Sequence, residues 1–316
     1  MAFCVVQQVS AQANDKPSLM VGNSAPDLQV EQWVKGGGAV PLQEGKVYII
    51  DLWATWCVPC IVGMPHLSEL QAKYKNKGLE IIGITSEDKY GNTLENVKKF
   101  VLQKDTLMAY NVAWVPKSGN DSVHGIWLHP WMKESGLGNL PTTFLIDRNG
   151  KIVYIGDPVT VDETLASVMS GQYNIDVLKE NYAQGIKAEE VLADFNRAIK
   201  STDVDEALKY GKSILNDFSY VKPNTYLVMG WQVAHKQGEP NPALLEMGYE
   251  AAKRGMILTK FTSPAFFDVM AGIYAIRKDF LSAIAYEKLA VSMSEGSMKE
   301  KQQLNLNKYL ELIVKN

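Results

Sequence analysis

Cys57 and Cys60 are separated only by Val58 and Pro59. Two thiols at that spacing can close into a disulfide and open again. Exchange needs one thiolate to attack a disulfide sulfur and a second thiol to resolve the mixed disulfide. If Cys57 opens a helix, the free N–H groups and partial positive charge of the helix N-terminus lower its pKa and make it the nucleophile. Cys60, one helical turn on, reaches the same sulfur and resolves. Pro59 is tolerated in that first turn, where N–H groups have no intrahelical partner. Two other uses of such a pair stand beside this one: a structural disulfide, or half of a zinc site. Zinc takes four ligands. The nearest histidine, His66, falls on the same helix, and the third cysteine is Cys4 near the start of the chain. No metal and no other cofactor is expected.

The surrounding pattern supplies elements to hold the pair. VYIIDLW (Val47–Trp53) is a nearly continuous apolar run, as a strand buried on both faces reads. From Cys57 to Lys75, Ile61, Met64, Leu67 and Leu70 recur at a helical period, and Gly78 marks the stop. LEIIGIT (Leu79–Thr85) is expected to be a second buried strand. Residues 93 to 104 read as an amphipathic helix with Thr93 as N-cap. A short strand is expected around Leu107–Val112 and a short helix at Trp127–Ser135. TTFLID (Thr142–Asp147), an Asn149-Gly150 turn and KIVYIG (Lys151–Gly156) read as a β-hairpin. The expected fold class is therefore α/β, a mixed sheet flanked by helices. From about residue 175 strand signals stop. Helical patterns continue to the end, with breaks near Ser201, Asp217–Pro223, Gly238–Pro242, Thr262–Pro264 and Gly296. Helical hairpins are the expected architecture there. Phe267, Met270, Ala271, Tyr274, Ala283 and Ala290 fall at the spacing of a tetratricopeptide repeat (TPR), without a regular array before them.

DLWATWCVPC (Asp51–Cys60), taken with its setting, resembles the active-site stretch of thioredoxin-fold proteins, especially the exported TlpA/ResA-like disulfide reductases. The resemblance covers about residues 20 to 165. Trp56 directly precedes Cys57, Trp53 ends the preceding strand, and Asp51 stands where thioredoxins keep a buried acid. Pro65 falls where the family kinks its helix, and LPTTFLID carries Pro141 at the place of the family's cis-proline. The resemblance implies a thioredoxin-like domain that exchanges electrons through Cys57 and Cys60. It implies that Asp51, its pKa raised by burial, accepts the Cys60 proton. It further implies that Pro141 sits in cis against the pair and that the backbone of Leu140 binds extended substrate. Trp53, Trp56 and Pro59 would contribute to the substrate-binding surface. The chain departs from the pattern at Gly63, where many relatives carry Glu, at Asp51, where many carry Asn, and at Gly83, where thioredoxins carry Lys. A peroxidase of the related peroxiredoxin type is disfavoured, since Ala54 and Ile50 stand where that chemistry needs Thr and Pro.

Length and charge bound the rest. A chain of 316 residues with 46% hydrophobic and 21% charged residues accommodates two domains. They are expected at residues 20–170 and 175–316, after a leader at 1–19. The leader MAFCVVQQVSAQAN reads as the tail of a signal peptide with Ala11-Gln12-Ala13 as the cleavage site, which predicts a periplasmic or otherwise extracytoplasmic location. A net charge of −3 argues against nucleic acid. The partners expected are a protein disulfide substrate, an upstream thiol electron donor, and a protein partner or second copy at the helical domain. The functional expectation is a thiol-disulfide oxidoreductase that reduces protein disulfides. The alternatives are a disulfide oxidase or isomerase, and a binding module whose helical domain captures a partner.

Overall fold

The computed structural model describes residues 17–38, 41–116, 126, 129–236, 238–294 and 296–315. Residues 1–16 of the leader, Cys4 among them, and His124 and Trp127 lie outside the described residues. The chain divides into two compact units at Glu180/Asn181.

The first unit is built on a six-stranded sheet. Its strands are β1 (Gln32–Lys35), β2 (Val47–Leu52), β3 (Leu79–Thr85), β4 (Asn111–Trp114), β5 (Thr142–Ile146) and β6 (Ile152–Gly156), in the order β1-β4-β3-β2-β5-β6. β2, β3 and β4 run parallel, joined by helices α1 (Val58–Tyr74) and α2 (Leu94–Gln103). Parallel neighbours require such crossovers. β5 and β6 form an antiparallel hairpin on the other side of β2, and β1 closes the far edge antiparallel to β4. Every residue of β2 is buried, Asp51 included, which explains the nearly continuous apolar run in its sequence. The hairpin turn is wrapped by Asp147, whose Oδ1 accepts the Asn149 and Lys151 N–H groups (2.9 and 2.8 Å), while Gly150 takes φ +71°.

Two elements differ from the sequence expectation. β4 begins at Asn111 and not near Leu107, because the ladder to β3 starts only where Ile82 meets Asn111. Residues 107–109 are instead pinned by Ser68 on α1, whose Oγ donates to Leu107 O (2.7 Å) and accepts Ala109 N–H (2.9 Å). The short helix α3 spans only Pro130–Lys133. β1, in a segment that reads as polar, is an edge strand, the place where polar strands are tolerated. Helix α4 (Asp162–Ser170) follows β6 after a 3-10 turn at Pro158–Thr160.

The second unit, described by itself, is all helical. Helix α5 (Ile175–Lys200) carries the division point, and α6 (Val204–Asn216), α7 (Pro223–Ala234), α8 (Pro242–Leu258), α9 (Pro264–Ile276), α10 (Phe280–Met293) and α11 (Gly296–Lys315) follow. Prolines in the first turn start α7, α8 and α9. The side chains of Asp203, Asn241 and Asp279 cap α6, α8 and α10 by accepting an N–H three residues on. At Gly230 an added Cβ would stand 2.9 Å from Val269 Cγ1, so that glycine sets the close approach of α7 and α9. The core holds Phe195, Met229, Ala251, Phe266, Met270 and Ile273, among others. His235, without an evident partner in the sequence, stacks on Trp231 at 4.4 Å, and its Nδ1 lies 3.0 Å from Trp231 O. No helix of the described residues is long and apolar enough to cross a membrane.

Candidate functional site

Cys57 and Cys60 are joined by a disulfide, with S–S 2.03 Å and Cα–Cα 5.3 Å. Cys57 is the N-cap of α1, and its Sγ accepts the Cys60 N–H at 3.3 Å. On reduction that N–H, with the helix N-terminus behind it, favours a thiolate at Cys57 over one at Cys60. Both cysteines are nearly enclosed, 3% and 2% exposed. Pro59 lies in the first helical turn and is exposed. Pro65, inside α1, removes the N–H that would bond the Ile61 carbonyl. Among the described residues no cluster of His, Cys, Asp or Glu could hold a metal ion.

Asp51 sits in the middle of the central strand, 1% exposed, facing Gly83 on β3 and Thr143 on β5 in the ladder. Burial pushes its pKa up to about 7, against a lowering by the Thr143 hydroxyl, which donates to Oδ1 at 2.6 Å; the charge of Asp157 raises it further. Burial, with the Asp51 charge, also holds the Tyr110 phenol well above its ordinary range. Gly83 leaves no room for a side chain beside Asp51. A Cβ there would come within 3.1 Å of Trp53 Nε1 and 3.2 Å of Tyr110 Cε2.

Burial separates the two tryptophans. Trp53 is fully enclosed and packs on Phe100 at 5.5 Å, so it shapes the site from within the core. Trp56 is half-buried, and its Nε1 donates to Asp88 Oδ2 at 2.7 Å. Its ring meets the edge of Tyr90 at 5.3 Å, and Tyr90 is 54% exposed. Asp88 belongs to a brace built by the loop after β3. Its Oδ1 accepts the N–H groups of Tyr90 and Asn92 (2.8 and 3.2 Å). Asn92 is buried; its Oδ1 accepts the backbone N–H and the hydroxyl of Thr55 (both 2.9 Å), and its amide donates to Thr85 Oγ1 and Ser86 O. The loop thus holds Thr55 and Trp56, the two residues before Cys57. The sequence reading missed Asp88, Tyr90, Asn92, Thr143 and Asp157. An Asp-x-Tyr-x-Asn run straight after a buried strand was the available signal for the brace, since Asp and Asn there turn the chain with their side chains. The Leu140–Pro141 peptide is cis and directly precedes β5; both residues are half-buried.

Comparison with known proteins agrees with this geometry. A family model described as the AhpC/TSA family matches residues 21–155, within the first unit. The thiol-disulfide oxidoreductase ResA of Bacillus cereus is 36% identical over 141 residues, which cover 44% of this chain and 70% of the relative. The chain belongs to the ResA-type thiol-disulfide oxidoreductases. ResA of Oceanobacillus iheyensis is 32% identical over 156 residues, covering 48% of this chain and 72% of that one. A solved thiol-disulfide isomerase from Corynebacterium glutamicum covers 47% of this chain and 97% of its own, at 22% identity and TM-score 0.40. Like its ResA relatives by name, the protein is a thiol-disulfide oxidoreductase, and Cys57–Cys60 at bonding distance in a thioredoxin-like fold is its redox pair. A C-terminal helical region accompanies the redox domain.

Proposed function

We propose that this oxidoreductase runs in the reducing direction: an upstream thiol donor outside the cytoplasm reduces Cys57–Cys60, which then reduces disulfides in protein substrates. The observation that carries the reading is the asymmetry of the pair. Cys57 caps α1 and takes an N–H bond from Cys60, so Cys57 is the thiolate that attacks. The substrate sulfur bonds Cys57, and the first substrate thiolate leaves. Cys60 then gives its proton to Asp51 and attacks Cys57 Sγ, which reforms the enzyme disulfide and releases the second substrate thiolate. Pro141 and the Leu140 backbone receive the extended substrate chain, and Trp56 with exposed Pro59 forms the rim it meets. Trp53 supports that rim from the core.

The redox domain corresponds to residues 20–170 and the helical domain to 175–316. We read α9 and α10 as a TPR-like hairpin: Phe267, Met270, Ala271, Ala283 and Ala290 are buried in it, and Tyr274 stacks on Tyr286 at 5.4 Å. A protein partner or a second copy would bind there.

Insulin reduction in the presence of a dithiol donor tests the reading. Cys57→Ser should abolish activity, and Cys60→Ser should accumulate a mixed disulfide through Cys57. Equal trapping through Cys60 in Cys57→Ser would overturn the assignment. Oxidation of reduced substrates at a rate exceeding insulin reduction would make the protein an oxidase or isomerase.

A further inference from the structure

Tyr90, in the loop after β3, is 54% exposed, while every other aromatic side chain among the described residues of the first unit is buried or half-buried. One exposed ring is ordinary by itself. This one stands beside the redox pair. Its ring meets the edge of Trp56 with centroids 5.3 Å apart and planes at 65°, and Trp56 directly precedes Cys57.

The backbone of Tyr90 is fixed from both sides. Its N–H donates to Asp88 Oδ1 at 2.8 Å. On the other side Gly91 turns the chain with φ +89°, and the Gly91 carbonyl accepts the Thr93 N–H (2.9 Å) and the Asn96 side-chain amide (2.8 Å). The same Asp88 carboxylate accepts the Trp56 indole N–H through Oδ2 at 2.7 Å. Asp88 is 6% exposed, so one buried carboxylate sets both rings. Lys89 Nζ lies 5.2 Å from the Tyr90 ring centroid and places a cation beside them. A tyrosine held in this way loses little freedom when a partner covers it, and rings of this kind are effective contacts at interfaces.

We propose that Tyr90 is a specificity-determining residue for thiol-disulfide exchange: it receives an aromatic side chain that flanks the substrate cysteine attacked by Cys57. The proposal rests on the reading of Cys57 as the attacking thiol. When a substrate sulfur bonds Cys57, the residues next to that sulfur in the substrate chain come up against Trp56, the neighbour of Cys57, and the Tyr90 ring beside it. An aromatic side chain there extends the edge-to-face pair and covers apolar surface of Tyr90. A serine or glycine covers none of it. The favoured substrate is therefore a protein disulfide with Phe, Tyr or Trp beside its reactive cysteine. Tyr90 itself takes no part in making or breaking the sulfur bonds.

The test uses the full chain carrying Cys60→Ser, which stops exchange at the mixed disulfide. Two synthetic peptides are the probes, each closed by one internal disulfide and differing only in Phe or Ser next to both cysteines. The second-order rate of mixed-disulfide formation is read by mass spectrometry after acid quenching, and each rate is divided by that peptide's rate with dithiothreitol. With Tyr90 in place, the Phe peptide should react roughly five times faster than the Ser peptide. Tyr90→Ala should bring that ratio close to one. Tyr90→Phe should keep it, because the ring and not the hydroxyl makes the contact. A role confined to holding the loop would slow both peptides by one factor and leave the ratio intact. That result, or equal rates for the two peptides with Tyr90 in place, would overturn the proposal. If neither peptide forms a mixed disulfide through Cys57, the attacking role of Cys57 falls and the proposal falls with it.

Discussion

Asp51 keeps its proton near neutrality because burial outweighs the hydrogen bond from Thr143. That has a consequence for stability. Its pKa is about 7 in the folded protein against an ordinary 3.8, so the folded state binds the proton more tightly. The stabilisation is complete below about pH 4 and is lost as the pH rises through about 7. Asp51→Asn removes the titrating group. Chemical denaturation of the oxidised chain should show wild type losing up to about 4 kcal/mol more than the variant between pH 4 and pH 9, the difference being the share of Asp51. Equal changes in the two proteins over that range would contradict the assignment. At this scale much was legible in the sequence. Cys57, Cys60 and the buried position of Asp51 follow from one short stretch and its spacing. Thr143 and Asp157 were not legible, because their approach to Asp51 depends on strand register and on a loop brought in from far along the chain.

Among the elements, the loop between β3 and α2 does the work a lone helix terminus cannot. Its Asn92 side chain makes four hydrogen bonds to Thr55, Thr85 and Ser86, and Asp88 fixes the Trp56 indole. Replacing Asn92 with Ala strands the Thr55 N–H and the Ser86 carbonyl in a site with little water. The expected loss is about 2–3 kcal/mol of stability together with slower attack by Cys57, read by denaturation and by the rate of mixed-disulfide formation with Cys60→Ser in the background. A variant as stable and as fast as wild type would remove the brace from the account. The principal strands and helices read well from the sequence because each carries one periodicity and a recognisable cap or stop. β4 was displaced because Ser68, a side chain on another element, satisfies backbone groups that an isolated reading assigns to a strand. β1 escaped notice because an edge strand need not look apolar.

Over the whole molecule, a redox domain of known type is followed by a helical unit that the family model does not reach. The helical unit has its own core and its own buried polar group. Glu287 is fully enclosed, its pKa pushed up to about 9 by burial and by Asp268, so it is carried as a neutral acid. Its helical character was plain from periodicity and from the proline and glycine breaks. Its role was not, since a packed helical surface names no ligand by composition. The direction of electron flow is likewise a property of the whole couple and its compartment, and it is the central claim. The most direct measurement is the reduction potential of Cys57/Cys60 in the full chain, by equilibration with thiol buffers of defined poise. A value near the thioredoxin end, about −270 mV, is expected. A value near about −120 mV would make the protein a disulfide donor and contradict it.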